Sequence, residues 1–195
     1  QVKGVVADTV RPTVEMIVHL VRLDEGTLRV GDTILARVDG ERRLDIARNH
    51  TATHLLHRAL RQVLGEHAAQ SGSYVSPDHL RFDFTHLAGL SDAELEDVER
   101  IVNEQIRANR PVTTRVMGYE EARKQGAIAL FGEKYGDQVR VVSVSGFSTE
   151  LCGGTHLQAS GQIGSFIITA ESSVGSGLRR IEAVTGRGAD EYRRE

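Results

Sequence analysis

The sequence has no tryptophan, few aromatic residues of any kind (5%) and a single cysteine in 195 residues. With so few aromatics, aliphatic side chains must fill most of any core. One cysteine, Cys152, excludes an intramolecular disulfide, which suits a reducing, cytoplasmic setting and leaves a thiol in need of another explanation. No apolar run approaches the ~20 residues needed to span a bilayer, so no membrane partner is expected. The opening stretch QVKGVVADTV has no basic segment followed by an apolar one and does not read as a signal peptide. It also lacks an initial Met and begins in mid-pattern, as an excised piece would. Strong basicity is missing too. Lys and Arg number 24 against 27 Asp and Glu, a formal charge of −3, so any contact with nucleic acid must come from local arginine clusters. Arg42, Arg43 and Arg48 form one such cluster, and Arg179, Arg180 and Arg187 another. The ordinary reading of each is a solvated surface.

What remains is the composition of a globular protein, 39% hydrophobic and 26% charged, long enough to bury a core. Residues 1–45 read as short strands with tight glycine turns. VEMIVHLV (14–21) is apolar and β-branched, Asp24-Glu25-Gly26 a turn, and TLRVGDTILARVD (27–39) alternates around Gly31-Asp32. This predicts a small β-barrel or meander. The character changes at Asp45, where a long helical pattern begins and runs to Gly65. Leu80, Phe82 and Phe84 alternate with Arg81 and Asp83 as in a half-buried strand. Ser91 with Glu94 forms a capping-box pattern ahead of a helix that Pro111 ends. Further strands are expected at 112–118, 139–145, 163–174 and 175–186, with short helices at 119–126 and near the C-terminus. The stretch GFSTELCGGTH between them reads as a loop. Helices and strands alternate without βαβ order, so the fold class is α+β. A small N-terminal β-barrel segment (1–45) precedes a domain (46–195) built on a central antiparallel or mixed sheet.

The chemistry concentrates in two places. His50, His54 and His57 share one face of the long helix. At about 100° per residue, His54 lies roughly 40° from His50 and His57 about 20° to the other side. Ala52, Leu55, Leu56, Ala59 and Val63 cluster opposite and face a core. Histidines at i and i+4 have the helical metal-ligand spacing. Cys152 stands four residues before His156, with Gly153 and Gly154 between them to permit a tight loop. Three imidazoles and a thiolate make a tetrahedral zinc set, one ion per chain, and their softness favours Zn(II) over Mg(II) or Ca(II). Position 51 is Thr, so the H-E-x-x-H glutamate of a zinc peptidase is missing. His57 is expected to be a helix-surface histidine. Four protein ligands usually mark a structural zinc, whereas a catalytic one keeps an open position. Spacing alone does not choose between these.

RNHTATHLLHRALRQVLGEHAAQSGSYV, LRFDFTH, GAIALFGEKYGDQVRVV, ELCGGTH and GLRRIEAVTG together resemble the editing region of alanyl-tRNA synthetase, over about residues 14–190. The zinc motifs are shared with freestanding alanyl-tRNA editing proteins, and the first 45 residues are similar to the β-barrel segment that precedes the region. The resemblance implies a deacylase domain that hydrolyses the ester of mischarged Ser-tRNA(Ala) and Gly-tRNA(Ala). Its parent would attach alanine to tRNA(Ala) using ATP. The implied partners are the acceptor end of tRNA(Ala) and the rest of the synthetase. His50, His54, Cys152 and His156 match the family's zinc ligands. Thr53 matches a threonine that reads the serine hydroxyl, although such a hydroxyl can instead bond its own helix carbonyl. Gln70 matches an editing-site glutamine that would otherwise read as a surface-loop residue. Gly153 and Gly154 could offer backbone N–H groups to a developing oxyanion, and Arg179 and Arg180, beside a Gly-Ser-Gly turn, could contact the tRNA backbone. The alternative is a non-catalytic, zinc-stapled tRNA-binding module.

Overall fold

The computed structural model describes residues 2–13, 16–129 and 135–194. Residues 14 and 15 of the first expected strand and 130–134 of the GAIALFGEKYGDQVRVV motif lie outside the described residues. The chain divides into two compact units, Gln1–Val38 and Asp39–Glu195.

In the first unit, β1 (Lys3–Thr13) and β2 (Met16–Glu25) pair antiparallel as a two-stranded ribbon. Every residue of β1 is exposed. The described residues of this unit form no closed barrel, since two strands leave both ribbon edges unpaired. Residues 27–39 form no strand, although their alternation predicts one. Val30, Ile34, Leu35 and Val38 are all exposed there. Alternation becomes a strand only where a neighbour fills the ladder and one face is buried.

The second unit is α+β and both of its sheets are antiparallel. Its first helix, α1 (Gly40–Leu64), begins five residues before the expected start at Asp45 because Asp39 caps it, accepting from Arg42 N at 3.0 Å. Gly65 ends it at φ 109°. β3 (Gln70–Val75) and β4 (Leu80–Thr85) form a hairpin. After α2 (Asp92–Arg107) come β5 (Val112–Gly118), α3 (Tyr119–Lys124), β6 (Gln138–Val144) and β7 (Ser148–Leu151). A 3₁₀ turn (Ser160–Ile163), β8 (Phe166–Gly175), β9 (Leu178–Thr185) and α4 (Gly186–Tyr192) complete it. One sheet has the order β3-β4-β9-β8, the other β5-β6-β7.

The sequence signals hold where they are strongest. Leu80, Phe82 and Phe84 are buried and alternate with Arg81 and Asp83. Ser91 and Glu94 close a capping box on α2, with Glu94 N on Ser91 Oγ and Ser91 N donating to Glu94 Oε2 at 2.8 Å. Val98, Val102 and Ile106 then face the core. That core joins α1, α2, β4, β8 and β9 around Leu55, Leu56, Leu60, Phe82, Phe166 and Ile181.

α1 is buried on both of its faces through its middle, from Thr51 to His57. Its leucine face meets the main core. Its histidine face is buried as well, which is how a central helix is distinguished from an amphipathic surface helix. The GFSTELCGGTH stretch is not all loop: β7 occupies its first half, pairing with β6 at Val141↔Leu151 and Val144↔Ser148. A four-residue strand is too short for its alternation to register, yet this one carries the residues just ahead of Cys152.

Candidate metal centre

His50 and His54 project from α1 one turn apart. Cys152 follows β7 directly, and His156 closes the loop after it. The ligand atoms of these four residues all lie within 4.8 Å of one another. Cys152 Sγ is 3.4 Å from His50 Nε2 and 3.3 Å from His156 Nε2. Donors on a tetrahedron around zinc, at ~2.0–2.1 Å for nitrogen and ~2.3 Å for sulfur, stand roughly 3.3–3.6 Å apart. The spacing therefore fits a small tetrahedral cation. A second observation agrees: His54 Nε2 is buried and has no hydrogen-bond partner among the described residues. A buried nitrogen without a partner carries a desolvation cost that a bound cation would offset. The donor set thus fits zinc.

The loop is shaped around the His50 ring. A Cβ added at Gly154 would fall 1.9 Å from His50 Cε1, so only glycine allows the approach. Gly153 meets no such limit. Neither glycine has a positive φ, so close approach, and not turn geometry, demands Gly154. Arg140 on β6 ties the loop down, with Nη1 donating to the carbonyls of Cys152 at 2.8 Å and Gly154 at 2.7 Å. Gly154 N donates to Cys152 Sγ at 3.4 Å. That amide is therefore engaged with sulfur and is not free to face an oxyanion. The Gly153 amide, on the exposed part of the turn, carries no such bond among the described residues.

Each imidazole has its own support. His156 Nδ1 lies 3.4 Å from Thr51 Oγ1, which also accepts from Leu157 N at 3.1 Å. His54 Nδ1 lies 2.9 Å from Glu150 Oε2. His57 Nδ1 is 3.2 Å from the same oxygen. His57 is 1% exposed and packs against Phe82, with ring centroids 5.3 Å apart. This corrects the expectation of a helix-surface histidine: α1 has no solvent-facing side at this level.

Burial opposes charge at His54, Cys152, Glu150 and His156, and local partners overrule it at the first three. Burial alone would lower the His54 pKa, but the Glu150 carboxylate raises it to about 10. Burial would raise Cys152, yet hydrogen bonds from His156 and His50 and the nearby His54 bring it down to about 3. Glu150, also against its burial, is held well below the usual carboxylate range by His54. At His156 burial prevails and lowers the pKa to about 4. The thiolate and the neutral His156 imidazole are the forms a metal binds. At His54, binding through Nε2 would displace a proton.

No hydrogen bond among the described residues joins the remaining expected residues to this cluster. Thr53 is buried, and its hydroxyl donates to Asn49 O at 2.8 Å, the helix-carbonyl bond its position allows. Gln70 is half-buried at the start of β3 and donates to Ser73 Oγ at 3.1 Å. It is a strand residue, not a surface-loop one, and no hydrogen bond among the described residues joins it to the cluster. Arg180 makes a bidentate pair with Asp83, at 2.7 and 2.8 Å, and Arg179 grips Glu171 with two nitrogens, Nη2 at 2.6 Å. Both guanidinium forks are thus filled by carboxylates of the neighbouring strands β4 and β8, which counts against either as a free phosphate contact. Thr51, Arg140 and Glu150 were not distinguished by sequence. Their only signal was Glu150, an acidic residue two places before Cys152 and so on the same face of any strand leading to it.

A cavity of about 420 Å³ opens beside the cluster, lined by His50, Cys152, Gly153 and Gly154 together with Tyr135 and Gln138. It adjoins the Cys152 side of the donor set.

Residues 139–182 match the family model described as the Threonyl and Alanyl tRNA synthetase second additional domain. That span covers β6, β7, Cys152, His156, β8 and the start of β9. The chain is also similar to the alanine–tRNA ligase of Myxococcus xanthus, 57% identical over 190 residues, 97% of this chain and 21% of the ligase. With that of Thermotoga maritima it is 60% identical over 179 residues, 92% of this chain and 21% of the ligase. With that of Carboxydothermus hydrogenoformans it is 56% identical over 187 residues, 96% of this chain and 21% of the ligase. The chain spans about one-fifth of the length of these curated relatives. By this identity along nearly all of its residues, the chain belongs to the alanine–tRNA ligase family, of which it represents the region that holds the second additional domain.

Proposed function

We propose that residues 46–195 form a zinc-dependent editing domain, preceded by a β-rich segment (1–45), which hydrolyses the ester of Ser-tRNA(Ala) and Gly-tRNA(Ala) in the cytoplasm. The observation that carries this reading is the convergence of His50, His54, Cys152 and His156 beside an open cavity, in a chain homologous to alanine–tRNA ligases. The full-length parent would attach alanine to tRNA(Ala) with ATP, and the rest of that protein would hold the body of the tRNA.

The need for such a domain follows from binding energetics. A pocket sized for alanine rejects an added hydroxyl only weakly, because one small group changes affinity little. A second site that bonds the hydroxyl rejects alanine strongly, since alanine leaves a buried polar group unpaired. Thr53 is the candidate reader. Its proton is already committed to Asn49 O, so it would act as an acceptor for the serine hydroxyl. Gln70 would contribute from β3. Zinc, when bound by the four donors, supplies Lewis-acid charge next to the cavity. Cys152 and His156 would help hold that charge, and the Gly153 amide could donate to the oxygen of the ester carbonyl. Arg140 keeps the loop from shifting. Arg179 and Arg180 could reach the tRNA backbone only by giving up their carboxylate pairs.

A second reading has one specific observation behind it. Four protein donors fill a tetrahedron and mark structural zinc in most proteins. The domain would then be a zinc-stapled tRNA-binding module without ester cleavage. The discriminating experiment measures deacylation of Ser-tRNA(Ala) by this chain and by Cys152→Ala, with metal content determined for both. Expected are about one zinc per wild-type chain, loss of it in the variant, and a fall in hydrolysis of at least roughly a hundredfold. Equal hydrolysis rates would sink the catalytic reading. A null rate in both is repeated in the intact ligase, where no cleavage would establish the module.

A further inference from the structure

β7 presents alternate residues inward, and three of its four are buried: Ser148, Glu150 and Leu151. A glutamate at 1% exposure in such a strand is costly unless every lone pair is used and its charge is met. Each oxygen of Glu150 has a hydrogen-bond partner, and His54 meets its charge. Oε1 accepts from Ser148 Oγ at 2.8 Å. Oε2 faces two imidazoles, His54 Nδ1 at 2.9 Å and His57 Nδ1 at 3.2 Å. Only one of those imidazoles belongs to the four-donor set. His54 is turned so that Nε2 lies among the other donors with no hydrogen-bond partner. His57 lies one helical turn further on, and its ring is packed against Phe82.

The geometry points to Glu150 as the positioning residue of the metal centre, fixing the proton of His54 on Nδ1 so that the Nε2 lone pair is aimed at the ion. A carboxylate behind a metal-bound imidazole sets its tautomer and raises its donor strength. The other two imidazoles lack this. His156 leans on a neutral hydroxyl, Thr51 Oγ1, at 3.4 Å, and His50 is located by contact with Gly154. Among the described residues, Glu150 is therefore the charged group behind an imidazole of the cluster, as Arg140 is the charged group behind its loop. His57 Nδ1 lies 3.2 Å from the same oxygen without making a hydrogen bond, so His54 is the imidazole that Glu150 bonds.

This role rests on the metal reading above, and its test separates the two. The dissociation constant for zinc is measured by chelator competition for the wild type, Glu150→Gln and Ser148→Ala. The His54 Nδ1 proton is followed by NMR in each zinc-loaded protein. Glu150→Gln keeps the shape and removes the charge. It is expected to bind zinc about 10–100-fold more weakly, with an unchanged far-ultraviolet dichroism spectrum. Its Nδ1 proton should exchange faster than in the wild type, because a neutral amide oxygen accepts more weakly than a carboxylate. Ser148→Ala leaves Glu150 in place and loosens only its Oε1, so a smaller weakening of roughly two- to fivefold is expected. It decides the matter should Glu150→Gln fail to fold. Wild-type affinity with a protected Nδ1 proton in the folded variants overturns the positioning role. Absence of zinc binding by the wild type overturns the metal reading itself.

Discussion

His50, His54 and His156 gather against Cys152 inside the larger unit, whereas His67 and His86 meet near its surface. Ring separation does not distinguish the two: the centroids are 5.5 Å apart for His50 and His54 and 5.2 Å for His67 and His86. What differs is how the nitrogens are used. His67 Nε2 and His86 Nδ1 face each other at 2.9 Å and satisfy one another, one donating and one accepting. In the inner cluster the nitrogens face a thiol and one another across a gap, with an outer nitrogen held by Glu150 or Thr51. Histidines brought together are thus no sign of a metal centre. Donor atoms of unlike residues that converge on one point, with the buried His54 Nε2 among them left without a partner, are such a sign, and burial makes leaving it so expensive.

Removing the ion is the strongest way to test this contrast. On the proposed zinc reading, a chelator acts on the inner cluster alone. At a free zinc concentration a thousandfold above its dissociation constant, binding contributes about 4 kcal/mol to stability. Chelation is then expected to lower the thermal midpoint by roughly 8–16 °C for a domain of this size. A midpoint that does not move would remove the distinction between the two histidine groups. A substitution comes next in size. Gly154→Ala drives a Cβ to 1.9 Å from Cε1 at the edge of the His50 ring, so the ring or the loop must shift. The expected cost is about 1–3 kcal/mol by overpacking, with weakened zinc binding. Gly153→Ala, in open space, is expected to change stability by less than about 0.5 kcal/mol. Thermal melts and zinc titrations of the pair check this, and equal effects at the two glycines would show that ring approach is not what the loop is built for. Smallest is the surface pair. His67→Ala with His86→Ala should leave zinc stoichiometry unchanged and stability within about 1 kcal/mol, as for an exposed hydrogen bond. A loss of metal in that double variant would make the outer histidines part of the centre.

Strong local signals were legible in advance. The i, i+4 histidines on α1, the Cys152–His156 spacing, the alternation of Leu80, Phe82 and Phe84, and the capping box at Ser91 all rest on near-neighbour geometry that a sequence carries directly. Readings that needed knowledge of what packs on an element fared differently. His57 looked exposed because a helical wheel separates two faces without saying that both are covered. Residues 27–39 looked like strands because alternation was present without the partner that makes a ladder. The stretch before Cys152 looked like a loop because β7 is four residues long. Arg179 and Arg180 looked available because Asp83 and Glu171 reach them only across the sheet.

By itself, then, the sequence determined which four residues could form a donor set, the helix that presents half of them and the α+β class, since spacing along a helix or loop sets which side chains can share a side. Only the tertiary structure decided that the donors meet. It also decided that Glu150 and Thr51 stand behind two of them, that Arg140 pins the loop, and that Gly154 yields the space His50 fills. Those contacts join residues about a hundred positions apart, such as His54 with Glu150 and Thr51 with His156. Their existence depends on β7 being laid along α1 by the core beneath, and no local pattern encodes that packing.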